Sequence, residues 1–273
     1  MDAMTRPLVA LLTDFGTRDF YVGAMKGAVV SVCPEAALVD LTHEIERHDV
    51  EEGAFVLAAA CRAFPPGAVF VAVVDPGVGS ARRALAIRAG GWRFVGPDNG
   101  LFTLVLDDHP EAQVRELTNA ALFRSDVSST FHGRDVFAPV AAHLAGGLPF
   151  EDVGPTLADP VRLDLGGARE LVPGEWQATI VHRDRFGNLT TQLRESQLLG
   201  LLRLAGGDRA SIVVRAGDHV LPLVGTYTEV AAGEGCALVG SAGRLEIAVN
   251  QGDAGARLGL RRGDLVALAL RPA

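Results

Sequence analysis

The stretch Ala68-Val69-Phe70-Val71-Ala72-Val73-Val74-Asp75-Pro76-Gly77-Val78-Gly79 decides the fold. Residues 68–74 carry no polar face and are rich in β-branched valine, the pattern of a central strand covered on both sides. The run stops at Asp75 in turn chemistry. Upstream, Leu8 to Thr13 is a second short apolar run, ending at Asp14 and Gly16. Asp19 stands where an N-cap would, ahead of Val22, Met25, Val29 and Val32 at helical spacing, and Pro34 closes that helix. Ala37 to Leu41 reads as another strand. Asp49 and Glu52 form a capping-box pattern before a helical stripe of Val50, Ala54, Leu57, Ala58 and Cys61, closed by Pro65-Pro66-Gly67.

Strand, helix, strand, helix, strand in that order predicts an α/β fold with a parallel sheet. Asp14 and Asp75 then fall at the C-terminal strand ends, the edge where open α/β sheets bind ligands. Further elements are expected at Ala84 to Arg88, Trp92 to Val95, Leu101 to Leu106 and, as a helix, about Asp135 to Leu144. The texture changes after Leu165. Gly166-Gly167 and Pro173-Gly174 read as a linker. Beyond it come short apolar runs at Gln177–Val181, Leu189–Leu193, Ser211–Val214, Val220–Val224, Ala237–Val239, Leu245–Val249 and Leu265–Leu270, with a short helix near Ala254–Leu258. The expectation is an α/β domain over 1–165, a linker over 166–174, and a smaller antiparallel β-barrel domain over 175–273.

Composition narrows the function classes. The 273 residues hold 25 Lys and Arg against 33 Asp and Glu, a net charge of −8 that disfavours nucleic acid as a partner. Lys26 is the sole lysine. Nearly half the chain is apolar, too much for disorder. No run approaches the ~18 apolar residues of a membrane span, and Met1 to Pro7 shows no signal-peptide core. Three scattered cysteines, Cys33, Cys61 and Cys236, form no disulfide framework, so a cytoplasmic location is expected.

Four stretches in the first half combine chemistry with tight turns. They are Thr13-Asp14-Phe15-Gly16, Val74 to Gly79, Gly96-Pro97-Asp98-Asn99-Gly100, and Ser129-Thr130-Phe131-His132-Gly133-Arg134-Asp135. Singly, each is ordinary turn chemistry; together they point to a site. Gly77-Val78-Gly79 lacks the third glycine of a dinucleotide fingerprint, and no phosphate-loop motif surrounds Lys26. Asp14, Asp75 and His132 could also be read as hard-metal ligands with a base, but metal-ligand spacings of His and Cys are absent, so no metal is expected. The remaining histidines, His43 and His48 among them, are scattered and read individually as surface or satisfied residues.

Taken in order, these segments resemble the S-adenosylmethionine hydroxide adenosyltransferase family, hydrolytic relatives of fluorinases and chlorinases. The resemblance runs through Thr13–Gly16, Tyr21-Val22-Gly23-Ala24-Met25-Lys26-Gly27, Val73–Gly79 with Arg82, Pro97–Gly100, Ser129–Pro139, Phe186-Gly187-Asn188, and Gly240-Ser241 through Leu245-Glu246-Ile247. It implies an α/β domain followed by a β-barrel, a homotrimer, and a substrate held between the first domain of one subunit and the second of the next. The implied reaction is displacement at the 5′ carbon of S-adenosylmethionine (SAM), giving adenosine and L-methionine when the nucleophile derives from water. No cofactor beyond that substrate is implied.

The same resemblance assigns roles residue by residue. Asp75, Arg82 and His132 form the water-handling trio; without the resemblance, the alternative for Arg82 is a simple loop ion pair with Asp75. Halogenating relatives have Tyr in place of Asp75, and fluorinases have Ser in place of Gly133, so both positions favour hydrolysis. Asp14 would accept the ribose hydroxyls, and Asp19, Tyr21 and Asp184 would meet the methionine end, with Asp19 equally readable as a helix cap. Phe186 and Asn188 would face the adenine or ribose, and Tyr227, Ser241, Glu246 and Ala254 would complete the adenine pocket. His48 stands where halogenases place a Trp, and Gln192 where relatives tend to have Asn, and neither receives a role. Beside the hydrolase reading stand a halogenase of the same fold and a SAM- or adenosine-binding protein without turnover.

Overall fold

The computed structural model describes residues 6–271 in two compact units that divide between Leu163 and Asp164. Residues 1–5, most of the N-terminal stretch that reads as lacking a signal peptide, lie outside the described residues. In chain order the first unit contains β1 (Leu8–Thr13), α1 (Tyr21–Val32), β2 (Ala37–Thr42), α2 (Val50–Cys61), β3 (Val69–Val73), β4 (Ala84–Ala89), β5 (Trp92–Pro97), α3 (Thr103–Asp108), β6 (Gln113–Glu116) and α4 (Ala138–Ala145). The sheet order is β2-β1-β3-β5-β4-β6. All five residues of β3 are buried, as their sequence predicts.

The path between strands explains where ligands can bind. From β1 the chain crosses through α1 to β2 on one side, then through α2 to β3 on the other. Strand order therefore reverses between β1 and β3, a topological switch point whose C-terminal edge opens a crevice. Asp14 and Asp75 follow those two strands. Helices α1 and α4 pack together, as do α2 and α3. Buried Met25, Val29, Val71, Val140 and Leu144 belong to one core cluster, on the α1–α4 side.

The sheet is parallel through β2, β1, β3 and β5, but β4 runs antiparallel to both β5 and β6. The β4–β5 hairpin turns at Gly90 and Gly91, both with positive φ, the condition for a tight type I′ connection. Its consequence is topological. The segment 74–83 leaves β3 and enters β4 at the same sheet edge, so Asp75 and Arg82 stay together there.

The helix expected from Asp135 begins earlier and irregularly. Gly133–Phe137 is a π-helix that runs directly into α4. Pro139 supplies the reason. It has no N–H for the carbonyl of Asp135, which instead accepts from Arg124 N at 2.9 Å. At α1 the N-cap position is Phe20 without a side-chain cap, so Asp19 is not the helix cap its position suggested. Asp49 does cap α2, accepting from Glu52 N at 2.9 Å.

The second unit is an antiparallel barrel-like sheet. Its elements are β7 (Ala168–Val172), β8 (Glu175–Arg183), β9 (Leu189–Arg194), α5 (Glu195–Leu204), β10 (Ile212–Ala216), β11 (His219–Leu221), β12 (Gly235–Val239), β13 (Arg244–Val249), α6 (Ala254–Leu258) and β14 (Leu265–Leu270). The order is β11-β10-β14-β8-β9-β13-β12, with β7 added on β8. A bridge between Leu223 and Ala237 brings the two ends together. Ala178, Ile180, Leu189, Val214, Leu245, Ile247, Val266 and Leu268 fill the interior. Strand β7 lies within the stretch 166–174 that reads as linker, and α5 occupies a stretch where no element is expected. No helix among the described residues is long and apolar enough to cross a membrane.

Candidate functional site

Asp75 and Arg82 meet across the loop that joins β3 to β4. Arg82 Nε donates to Asp75 Oδ1 at 2.8 Å and Oδ2 at 3.0 Å, and Arg82 Nη2 donates to Asp75 Oδ2 as well. Their side chains are 9% and 4% exposed. The same Nη2 lies 2.9 Å from His132 Nδ1. The guanidinium is further seated over the Phe137 ring, 5.2 Å from its centroid. The trio expected from sequence is therefore one hydrogen-bonded cluster, its members drawn from the β3–β4 loop and the start of the π-helix.

A guanidinium only donates, so His132 Nδ1 must accept, and the neutral ring carries its proton on Nε2. Burial and the adjacent Arg82 charge push the His132 pKa below its ordinary value, with Asp75 and Asp135 acting weakly against them. The neutral ring is the favoured form. The loop bearing His132 is clamped by Asp135, whose fully buried carboxylate accepts from Ser128 N at 2.9 Å and from Arg134 Nε at 2.6 Å. Arg134 holds the Asp135 carboxyl below the usual range against the penalty of burial. Gly79 lets the two loops touch. At φ +78° it sits so near Ser129 that a Cβ would lie 2.4 Å from the Ser129 carbonyl oxygen.

Asp14 lies beside β1 with its side chain 8% exposed, and its Oδ2 accepts from the His48 backbone N–H at 2.9 Å. His48 thus contributes its main chain, at φ +65°, while its ring is largely in solvent. Asp14 and Asp19 line a cavity of about 630 Å³ together with Phe15, His43, Glu44 and Glu46. Tyr21 packs in an aromatic cluster, 5.7 Å from Phe15 and 5.2 Å from Phe131 between ring centroids. Since Phe131 precedes His132 and Phe15 follows Asp14, these rings join the Asp14 loop to the trio.

The second unit gathers the other candidates. Asp184, Phe186, Asn188, Tyr227, Ser241 and Glu246 line a cavity of about 690 Å³, with Thr228, Asn250 and Gln251 added to the expected set. Tyr227 Oη donates to Glu246 Oε1 at 2.7 Å. Burial, with the Glu246 carboxylate beside it, pushes the Tyr227 phenol well above its ordinary range. Glu246 is only 8% exposed; burial raises its carboxyl, the Tyr227 bond opposes that, and nearby Asp184 adds to it. Asp184 also organises its own loop, with Oδ1 accepting from Phe186 N at 2.9 Å and Asn188 N at 2.8 Å. Phe186 stands at the loop tip, 77% exposed. Ala254 does not line this cavity; it is fully buried in the barrel core. Gln192 serves structure, its Nε2 donating to the Leu165 carbonyl at 2.6 Å.

The sequence reads His43 only as a surface or satisfied histidine, with no role at the site. It is 3% exposed, and Thr13 Oγ1 lies 2.9 Å from its Nδ1. The one available signal was its place in the Thr42-His43-Glu44 turn after a strand at the ligand edge.

Residues 9–154 match the family of SAM hydroxide adenosyltransferase N-terminal domains, and residues 178–267 match the corresponding C-terminal domains. The (R)-S-adenosyl-L-methionine hydrolase of Thermus thermophilus is 43% identical over 262 residues, 93% of this chain and 96% of that protein. Further away, a fluorinase from an Actinoplanes species is 31% identical over 224 residues, 72% of this chain and 75% of that protein. An uncharacterized conserved protein from Thermotoga maritima has a solved structure that superposes with a TM-score of 0.88 at 37% identity, covering 96% of this chain and 99% of that one.

Proposed function

The chain belongs to the SAM hydroxide adenosyltransferase family, and from that premise we propose that it hydrolyses S-adenosyl-L-methionine to adenosine and L-methionine. The observation that carries the reading is the hydrogen-bonded Asp75–Arg82–His132 cluster, part-buried at the ligand edge of the sheet.

The leaving group is a neutral thioether expelled from a sulfonium, so no general acid is needed. Difficulty rests with the nucleophile, since water ionises with a pKa near ~15.7. Attack by hydroxide on a sulfonium annihilates charge, which a water-poor site favours over separated ions. Arg82 would stabilise hydroxide character at the cluster. His132, neutral and protonated on Nε2, would donate from that nitrogen to orient the water oxygen. The proton then goes to the Asp75 carboxylate: the single lone pair of His132 Nδ1 is taken by Arg82, whereas Asp75 Oδ1 accepts only from Arg82 Nε and keeps a second lone pair. In-line placement of water, 5′ carbon and sulfur supplies much of the remainder.

Asp14 would accept the ribose hydroxyls, each carboxylate oxygen having two lone pairs and only one of the four being used by His48 N. Asp19, Tyr21 and Asp184 would meet the methionine end. Phe186 and Asn188 would face adenine or ribose, and Tyr227, Ser241 and Glu246 would bind adenine. A homotrimer that joins the first unit of one subunit to the second unit of the next is part of this reading. Support comes from the exposed Phe186 beside the second-unit cavity, a ring that an assembly would cover. A cytoplasmic location agrees with three free, buried cysteines. The chemistry calls for no metal, so turnover should survive a chelator.

The test is incubation of purified protein with SAM in ¹⁸O-labelled water, with and without chloride or fluoride. Adenosine carrying one label at the 5′ oxygen, formed without halide, supports hydrolysis. A 5′-halo product or no product would overturn it. Light scattering of the 28.6 kDa chain should report three copies.

A further inference from the structure

Around Thr13 runs a hydrogen-bonded chain that the hydrolytic chemistry does not use. Phe15 N donates to Thr13 Oγ1 at 3.2 Å, and His43 Nδ1 lies 2.9 Å from the same oxygen. The Asp40 carboxylate, which only accepts, favours the His43 proton on Nε2, 3.0 Å from its Oδ1 in a bent contact short of a well-formed hydrogen bond, and Nδ1 then accepts from the Thr13 O–H. The other oxygen of Asp40 is held by Lys26 Nζ at 2.7 Å. Lys26 is the only lysine of the chain. His43 grips the same loop a second time, its carbonyl accepting from Gly16 N at 2.7 Å.

Every anchor of this chain falls on a neighbour of Asp14: Thr13 before it, Phe15 and Gly16 after it. Thr13 is fully buried and His43 nearly so, so the anchors are not exchanged for water. We propose that His43 is a positioning residue for Asp14, acting through Thr13 to hold the aspartate where it takes a vicinal diol. The inference rests on the reading of Asp14 as ribose ligand. A carboxylate that must meet two hydroxyls tolerates displacements of only ~0.5 Å, so loosening its loop weakens recognition of the diol and leaves the rest of the nucleoside alone. Lys26 and Asp40 act one step further out, by holding the proton of His43 on Nε2.

The experiment measures binding of adenosine and of 2′,3′-dideoxyadenosine to full-length wild type, Asp14→Asn, His43→Ala, His43→Gln and Thr13→Val. The expected result is that His43→Ala and Thr13→Val each weaken adenosine by about tenfold, a loss of ~1.4 kcal/mol, and change dideoxyadenosine by less than about twofold. His43→Gln should recover part of the loss. For SAM turnover, KM should rise about tenfold with kcat within about threefold of wild type. Thr13→Val is nearly isosteric and keeps the test available if His43→Ala does not fold. Equal losses for both nucleosides, or none, would overturn the positioning role. If Asp14→Asn leaves the preference for the diol intact, the ribose reading fails and this inference with it. If Asp14→Asn abolishes the preference and His43→Ala and Thr13→Val do not, only the inference fails.

Discussion

Arg82 Nη2 lies 2.9 Å from Nδ1 of His132, and this contact forbids a proton on that nitrogen. The imidazole is held neutral by burial and by the guanidinium. Protonation would put two cations in contact, so the active arrangement is lost when pH falls through a His132 pKa lying below the ordinary value near 6.5. The expected kcat/KM profile has an acid limb below pH 6.5, and His132→Asn removes the limb along with at least about 10²-fold in kcat. Stability should carry the same sign. A histidine whose folded pKa is depressed contributes stability above the unfolded value, and that contribution fades as pH falls toward the folded one. His143 is shifted the same way by burial. The measurement is therefore the difference in urea stability between wild type and His132→Asn from pH 7.5 to 5; a constant difference would refute the assignment.

Arg82 reaches Asp75 through Nε and Nη2 together while touching His132 through Nη2. Lysine has one nitrogen and no planar fork, so Arg82→Lys can keep the Asp75 ion pair but not the bridge. If Arg82 were only a loop ion pair, lysine would serve. If it stabilises hydroxide, kcat should fall about 10²–10³-fold, the cost of losing one oriented donor at developing negative charge. Affinity for adenosine should change by less than about threefold. Steady-state kinetics and adenosine titration on the same preparation separate the two roles.

Much of this was legible in sequence because the signals were local. The β-branched run 68–74 announced a buried central strand, Asp49 announced a cap, and Ala254–Leu258 is the helix expected there. Non-local facts were not legible. The reversal of β4 depends on the chain leaving β3 for a slot two strands away, with β5 then filling the gap, yet it is what holds Arg82 next to Asp75. His43 looked like a scattered histidine because its partner Thr13 lies 30 residues away. Helix α5 was missed although Leu198 and Leu201 give a buried i, i+3 pair. Further leucines, Leu199, Leu202 and Leu204, hid that period. Asp19 looked like a cap because capping preference and ligand chemistry favour the same side chain.

Gly79 and Gly77 sit two residues apart in the loop that carries Asp75 and Arg82, and they differ in what a methyl group would meet. At Gly79 a Cβ would fall 2.4 Å from the Ser129 carbonyl oxygen at φ +78°, so backbone must move. The segment that moves carries His132. Gly79→Ala should therefore lose about 1–3 kcal/mol of stability and at least about tenfold in kcat. At Gly77 the nearest atom would be Ser80 Oγ at 3.4 Å, an ordinary contact. Gly77→Ala should stay within about 0.5 kcal/mol of wild type. Thermal denaturation and kcat for the pair check whether close approach of the two loops, rather than loop glycine content as such, sustains the site.

Tyr227 donates to a carboxylate that burial already disfavours, so Tyr227→Phe tests how much Glu246 depends on that bond. Without the phenol, the one influence lowering the Glu246 pKa is gone, while burial and Asp184 continue to raise it. A carboxyl whose folded pKa lies above its unfolded one binds more protons folded than unfolded between those values, so stability falls as pH rises through that window. The window in Tyr227→Phe extends to higher pH. The variant should therefore be more strongly destabilised at pH 8 than at pH 5, by roughly 1.5–3 kcal/mol at the alkaline end, the cost of removing a hydrogen bond to a charged group. Adenosine should bind about tenfold more weakly at neutral pH if the Glu246 anion accepts from the adenine amine, with part of the loss absent for purine riboside, which lacks that amine. Equal loss for adenosine and purine riboside would place Glu246 in support of the pocket wall instead of in recognition of the base.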